Sequence, residues 1–173
     1  DRTGASFERS YQSILERLNK NAVRMQIPWG EEDKMNGVVD LLKMKAYTFE
    51  GEMGITVVEQ EIPVELQADA KKYHGELVER IVEHDDAAMT AYLEGQVPSL
   101  EELKAILRQA VINNKIFPVF SGSALKNKGV QLVLDAVVDY LPSPLDLPAV
   151  KGIDPNTGEE VERAATDDEP FSA

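Results

Sequence analysis

The sequence predicts an α+β protein. Residues 22–62 alternate apolar and polar side chains with the period of two that strands show. Residues 64–113 instead repeat apolar side chains with the period of amphipathic helices. Residues 115–141 pass from an apolar run rich in β-forming residues, through a turn of small side chains, to an amphipathic helix. Strands and helices therefore follow one another in separate blocks, with one strand–turn–helix unit at the end.

Composition narrows the class of protein and of partner. A chain of 173 residues with 43% hydrophobic and 28% charged residues can bury a core, and no apolar run approaches the roughly 18 residues of a membrane helix. The absence of cysteine excludes disulfides and zinc–thiolate sites and fits a reducing compartment, so we expect a cytoplasmic protein. The net charge of −13 argues against direct binding to DNA or RNA, because such binding needs Lys and Arg to neutralise phosphates. A basic protein is the expected partner.

The first part of the chain predicts one helix and then strands. Residues 7–18 carry apolar side chains at helical spacing, which predicts a helix laid on a sheet. Strand patterns come next at residues 22–29, at 37–49 (one long strand or two) and at 55–62, with polar turns between them. Residues 22–62 are most simply an antiparallel meander. Trp29 is expected to be a core residue rather than a ligand platform.

Three helices are predicted next, at residues 64–84, 86–94 and 99–113. The second ends at Gly95, and the third begins with a capping box in which Ser99 and Glu102 bond each other's backbone. The long first helix buries one stripe, formed by Leu66, Ala70, Tyr73, Leu77 and Ile81.

The same long helix carries a stripe of acidic side chains. On a helical wheel the other members lie within about 40° of Glu65, and the stripe consists of Glu65, Asp69, Glu76, Glu79 and Glu83. Like charges at this spacing mildly destabilise a helix. The stripe is either an ordinary solvated face or a surface that steers a basic protein partner, and the sequence leaves both interpretations open.

The turn between the last strand and helix is the candidate ligand site. Its sequence is SGSALKNKG, residues 121–129. In open α/β sheets, ligands bind beyond the carboxyl ends of the strands, where such a turn presents backbone N–H groups. Gly122 permits close approach, and the Ser123 hydroxyl can brace the turn. The same residues also suit a purely structural turn. The basic run 126–129 either complements nearby acids or contacts phosphate or RNA.

Residues 121–144, SGSALKNKGVQLVLDAVVDYLPSP, resemble the end of the GTP-binding domain of elongation factor G, the bacterial ribosomal translocase. The resemblance is collinear along the chain. It implies that Ser123, Ala124 and Leu125 bind guanine, with the Ala124 N–H donating to guanine O6 and Leu125 packing on the base. The opening residues DRTGASF resemble the segment that comes directly after Asn-Lys-Met in that family. This implies that Asp1 accepts from guanine N1–H and from the 2-amino group.

The resemblance also implies a domain organisation. A strand–helix–strand unit needs on the order of 30 residues, so two guanine contacts at positions 1 and 123 imply an insertion between them. The chain would be an α/β GTPase-domain remnant carrying an inserted subdomain of antiparallel strands followed by helices. The predicted parts are a GTP-binding-domain helix segment at 1–19, the insert at 20–114, the strand, guanine-recognition turn and helix of the GTP-binding domain at 115–142, and at 143–173 a linker and the start of a β-barrel domain. Prolines at 142–148 predict an irregular, stiff connection.

The function implied is that of a translational GTPase whose GTP hydrolysis drives tRNA–mRNA movement. The chain has no glycine-rich phosphate loop and no switch segments, so we predict no catalytic residue and an inactive fragment. GTP or GDP and Mg²⁺ belong to the parent protein, with no tightly bound cofactor expected here. His74 and His84 lack a third ligand at metal spacing, so no metal site is predicted.

The implied partner is the ribosome. Its basic stalk protein on the large subunit would face the acidic stripe, and tRNA–mRNA would be contacted through other parts of the parent. Two alternatives stay open. One is a free-standing acidic α+β interaction module, and the other is a fragment of a related ribosome-acting GTPase, such as a tetracycline-resistance protection protein or the release-factor GTPase.

Overall fold

The computed structural model describes residues 1–146 and 148–166 and confirms the α+β fold. The chain forms two compact units, Asp1–Tyr140 and a smaller one that begins at Leu141. No helix within the described ranges is both long enough and apolar enough to cross a membrane.

The first unit contains most of the secondary structure. Its helices are α1 (Phe7–Arg17), α2 (Val64–Val82), α3 (Asp86–Leu93), α4 (Leu100–Ile112) and α5 (Val130–Tyr140). Its strands are β1 (Ala22–Arg24), β2 (Gln26–Trp29), β3 (Gly37–Asp40), β4 (Lys45–Glu50), β5 (Thr56–Gln60) and β6 (Phe117–Val119). The predicted capping box at the start of α4 is confirmed, since Ser99 and Glu102 bond each other's backbone N–H.

The strands of the first unit form two sheets rather than the single meander predicted over residues 22–62. β2, β3, β4 and β5 form an antiparallel meander, but β1 pairs in parallel with β6, with Val23 beside Pro118. Ala22 and Val23 are both buried, as in parallel strands covered on both faces. The alternation in the sequence did not reveal this, because it says nothing about which strand becomes the partner.

The run 37–49 forms two strands because the Asp40 side chain ends the first. Its Oδ1 accepts from the N–H groups of Leu42 at 2.9 Å and Lys43 at 2.8 Å, which turns the chain. Burial raises the pKa of Asp40, while the Lys43 N–H and charge act in the opposite direction.

The larger of two hydrophobic clusters joins β1 to β4 with α2, α4 and α5. From α2 it takes Ala70, Leu77 and Ile81, as the predicted stripe requires, together with Val78 and Val82. Trp29 packs against this core, as expected. The same core includes Ile116 and residues of α5, so residues 20–114 share it with the segment that follows. The domain boundaries at 20, 115 and 143 stay a prediction.

Helix α1 is held differently, since none of its residues is buried. The Arg24 guanidinium carbon lies 3.9 Å from the ring centre of Tyr73, on α2, and 4.7 Å from that of Tyr11, on α1. Arg24 also forms an ion pair with Glu8 at 2.7 Å. The Tyr11 hydroxyl donates to the Ala22 carbonyl at 3.0 Å. A nearly buried cation thus joins α1 to β1 and α2 through aromatic faces.

The second unit contains a short hairpin. Its strands are β7 (Val150–Ile153) and β8 (Glu160–Arg163), and the turn that joins them contains Gly158 at φ 74°. The proline-rich segment was predicted to be irregular, but Pro144–Asp146 form a single 3₁₀ turn. Pro144 is compatible with this because proline fits the first position of a helical turn. Residues 167–173, predicted to enter a β-barrel domain, lie outside the described residues.

Candidate functional site

The turn after β6 brings together two residues that the sequence assigned to one ligand. The Ser123 hydroxyl donates to Asp1 Oδ2 at 2.6 Å, although the two residues are 122 positions apart. Ser123 is 3% exposed. Asp1 belongs to a loop that is itself fixed, because the Gly4 N–H donates to Glu32 Oε1 at 2.6 Å. A carboxylate is therefore placed at the carboxyl end of β6.

Ser123 also fixes the shape of the turn. Its N–H donates to the Lys128 carbonyl at 2.8 Å, and the Lys128 N–H donates back to the Ser123 carbonyl at 2.9 Å. The Ser123 Oγ accepts from the Lys126 N–H at 3.2 Å, which confirms the predicted bracing role of this hydroxyl. Asn127, at φ 50°, closes the loop. Residues 123–128 thus form a loop closed by hydrogen bonds and braced by the Ser123 hydroxyl.

The other two predicted guanine contacts, Ala124 and Leu125, lie at the tip of this loop. Ala124 and Leu125 are exposed, Leu125 with 74% of its surface accessible. Among the hydrogen bonds of residues 1–146 and 148–166, none uses the Ala124 N–H as donor. The turn therefore presents a carboxylate, a free backbone donor and an apolar side chain close together, which is a set of groups that fits a planar heterocycle.

Three side chains hold the turn from behind, and sequence reasoning did not identify their role. Gln26 Oε1 accepts from the Ser121 N–H at 3.2 Å, Lys128 Nζ donates to the Met35 carbonyl at 2.6 Å, and Gln131 Nε2 donates to the Gly54 carbonyl at 3.0 Å. Lys128 thus contacts a backbone carbonyl, a partner that neither interpretation of the basic run included. For the contact made by Lys128, the one signal in the sequence was the presence of basic residues in a turn made of small residues.

Buried polar atoms without a partner collect around the same turn. In the described part of the chain they are Gln26 Nε2, Ser121 Oγ and Gln131 Oε1. Such atoms cost free energy and usually mark places where stability was not the main constraint. Ser121 also lines a cavity of about 300 Å³, together with Asp1, Phe7, Arg9 and Glu32, among others.

The acidic stripe of α2 forms the second candidate surface. All five of its carboxylates are exposed: Glu65, Asp69, Glu76, Glu79 and Glu83. Two basic residues of α2 form ion pairs with members of the stripe. Lys72 approaches Glu76 at 4.0 Å, and Arg80 approaches Glu83 at 3.2 Å.

Glu79 and Glu83 differ from the other members of the stripe in their surroundings. Tyr92, on α3, donates to Glu79 at 3.4 Å, and desolvation followed by the Glu79 charge raises the tyrosine pKa. Glu83 lies one residue beyond α2 and caps it. A negative charge at a helix C-terminus is unfavourable, so Glu83 gains nothing from the helix dipole.

The two histidines have unrelated surroundings. His74 Nδ1 lies 2.7 Å from the Leu41 carbonyl, and His84 is exposed. Within the ranges that the structure covers, no three His, Asp or Glu side chains are grouped so that they could hold a metal ion.

Comparison with known proteins places the chain beside part of a larger one. No protein-family profile matches the chain. It is similar to a crystal structure of a protein from Thermus thermophilus, with a TM-score of 0.73 and 26% sequence identity over 92% of this chain. The match covers 25% of that protein, so the chain spans about a quarter of its length. The likeness supports the α+β fold along nearly the whole chain.

Proposed function

We propose that this chain is the guanine-recognising part of a translational GTPase of the elongation factor G type, together with its inserted subdomain. In the complete protein, binding and hydrolysis of GTP with Mg²⁺ would drive tRNA–mRNA movement in the cytoplasm. The observation that carries the proposal is the 2.6 Å hydrogen bond between Ser123 and Asp1. Each of these residues has a guanine contact in the family that the sequence resembles.

The chemistry of the turn suits guanine. A carboxylate accepts two or more hydrogen bonds, so Asp1 can pair with both N1–H and the 2-amino group of the base. The Ser123 hydroxyl orients that carboxylate by donating to one oxygen. Adenine presents neither donor and would leave the carboxylate unpaired, which is costly. The Ala124 N–H suits O6, and the exposed Leu125 offers an apolar surface for one face of the base.

Nucleotide discrimination tests this proposal. In the complete protein we expect GDP to bind at least 10-fold more tightly than IDP, whose base lacks the 2-amino group, and ADP not to bind. Calorimetry on the present chain should give a dissociation constant for GDP of millimolar or weaker, because phosphate and Mg²⁺ contacts are missing. Equal binding of ADP and GDP by the complete protein would contradict the proposal. Binding of a basic protein without any nucleotide would instead favour the acidic interaction module.

The exposed carboxylates of α2 support a second part of the proposal, contact with the basic stalk protein of the large ribosomal subunit. Exposed charges of one sign raise association rates with an oppositely charged partner, and salt screens the effect. We expect Glu76→Lys with Glu83→Lys to slow ribosome-stimulated GTP turnover several-fold at low salt and to leave nucleotide affinity unchanged.

A matched control is available for this variant. Glu16→Lys with Glu52→Lys makes the same change in net charge at exposed residues outside the stripe. Stopped-flow turnover measured over a range of salt concentrations separates the two. If both double variants slow turnover equally, or neither does, the stripe is an ordinary solvated face.

A further inference from the structure

We infer that the antiparallel meander supports the guanine-recognition turn from behind, and that Lys128 is the positioning residue through which it sets guanine affinity. The inference rests on the proposed function for its nucleotide part. It gives the meander a role in the nucleotide site that is separate from any role of α2 in partner binding.

The first contact is made by the Lys128 side chain. Its ammonium donates to the carbonyl of Met35 at 2.6 Å, and Met35 is 6% exposed just before β3. The backbone of Lys128 is bonded in both directions to Ser123. A single residue therefore connects the meander to the hydroxyl that orients Asp1, so a shift of the Lys128 side chain is passed to Ser123 through two hydrogen bonds.

The second contact is backbone against backbone. A Cβ at Gly54 would lie 3.0 Å from the Lys126 carbonyl oxygen and 3.2 Å from that of Asn127, and Gly54 has φ 61°. The Gln131 side chain then donates to the Gly54 carbonyl at 3.0 Å. Only glycine suits this position, because a side chain there would be both strained and blocked by backbone oxygens.

Together these contacts preorganise the tip of the turn. Ala124 and Leu125 are exposed at the tip of the turn, so their position depends on what fixes residues 123 and 128 at its two ends. A site held before the ligand arrives loses less entropy on binding and binds more tightly. Lys126 belongs to the same turn, yet the hydrogen bond that it donates to Ser123 comes from its backbone N–H. Its side chain is therefore a control within the turn.

The experiment compares Lys128→Met, Lys128→Arg and Lys126→Met in the complete protein. Loss of a hydrogen bond to a charged donor is expected to weaken GDP binding about 10-fold or more in Lys128→Met. Arginine keeps a charged donor and should recover most of the affinity. Lys126→Met should stay within about 2-fold of the original, since it changes no hydrogen bond.

A second readout does not depend on nucleotide. Hydrogen exchange at the Ser123, Lys126 and Lys128 amides should become at least 10-fold faster in Lys128→Met, while exchange at the buried Leu107 stays the same. Gln131→Met removes one contact without removing a charge, and serves as the second variant if Lys128→Met does not fold.

The two readouts separate this inference from the proposed function. Unchanged GDP affinity and unchanged exchange in Lys128→Met would overturn the inference and leave the proposed function standing. Faster exchange in a protein that binds no guanine nucleotide would overturn the proposed function and the nucleotide part of the inference, and would keep the structural link. Equal loss of affinity in the Lys126 and Lys128 variants would also overturn it, because charge alone would then explain the effect.

Discussion

The turn at 121–129 and helix α2 present their candidate functional groups in opposite ways. The turn at 121–129 is held by hydrogen bonds with residues 1, 26 and 35 and by the close approach of Gly54, all of them remote in sequence. The acidic stripe of α2 needs no such contacts, because the helical repeat alone aligns its side chains. Function in the turn should therefore be sensitive to packing elsewhere, whereas the stripe should tolerate change without loss of the fold.

The largest expected effect separates the two faces of α2. Leu77 is 3% exposed in the core, so Leu77→Ala should lower the free energy of unfolding by about 2 to 5 kcal/mol. Glu79→Ala, on the acidic face two residues later, should change it by less than about 0.5 kcal/mol. Urea denaturation measures both, and similar values would mean that the two faces are not distinct.

The same substitution, glycine to alanine, should have opposite effects on stability in the turn and in helix α2. A Cβ at Gly122 would lie 2.7 Å from the Lys128 carbonyl oxygen, so Gly122→Ala should cost about 1 to 3 kcal/mol. At Gly75, inside α2, no atom outside the neighbouring helix backbone lies within 4 Å of the added Cβ. Gly75→Ala should stabilise the protein by about 0.5 to 1 kcal/mol, because alanine favours the helix. The opposite signs should appear in thermal unfolding, and equal signs would remove the contrast.

The meander that supports the turn should show its own dependence on pH. Burial raises the pKa of Asp40 in the folded protein, so the stability that this group contributes is complete below its unfolded pKa and is lost as pH rises through the folded value. Asp40→Asn keeps the acceptor for the Leu42 and Lys43 N–H groups and removes the charge. The variant should gain stability relative to the original at neutral pH and lose that advantage near pH 4, as urea midpoints at the two pH values would show.

The smallest effect concerns repulsion within the stripe. Glu65 and Asp69 are one helical turn apart and both exposed. Asp69→Asn should raise the free energy of unfolding by about 0.2 to 0.5 kcal/mol at low salt, with the gain fading at high salt. A loss of stability would mean that Asp69 has a favourable role in the fold.

The sequence alone predicted the structure correctly where that structure depends on a single segment of the chain. The capping box at Ser99, the apolar stripe through Leu77 and the end of α3 near Gly95 depend on neighbours within a few residues. The pairing of β1 with β6 depends on segments about 95 residues apart, and no local pattern records it. The same is true of the contacts of Arg24, because its aromatic partners lie on α1 and α2. No pattern within a single strand indicates them.

The candidate site likewise combines a contact that could be predicted from the sequence with contacts that could not. Resemblance placed Asp1 and Ser123 at one ligand, and the fold brings them into contact. Neither resemblance nor periodicity indicated that Lys128 contacts Met35, because a lysine in a polar turn is usually solvated and its partner here is a backbone carbonyl. The supporting contacts were missed because they depend on loop geometry rather than on residue type.

The central claim is that Asp1, oriented by Ser123, recognises guanine. The most direct test is the nucleotide selectivity of Asp1→Asn in the complete protein, with the exposed Asp33→Asn as control. Xanthine carries an oxo group in place of the 2-amino group, so an asparagine amide suits it while a carboxylate does not. We expect Asp1→Asn to lower kcat/KM for GTP by about 100-fold, from the loss of two hydrogen bonds to a charged acceptor, and to raise it for XTP. Unchanged preference for GTP in Asp1→Asn would contradict the account.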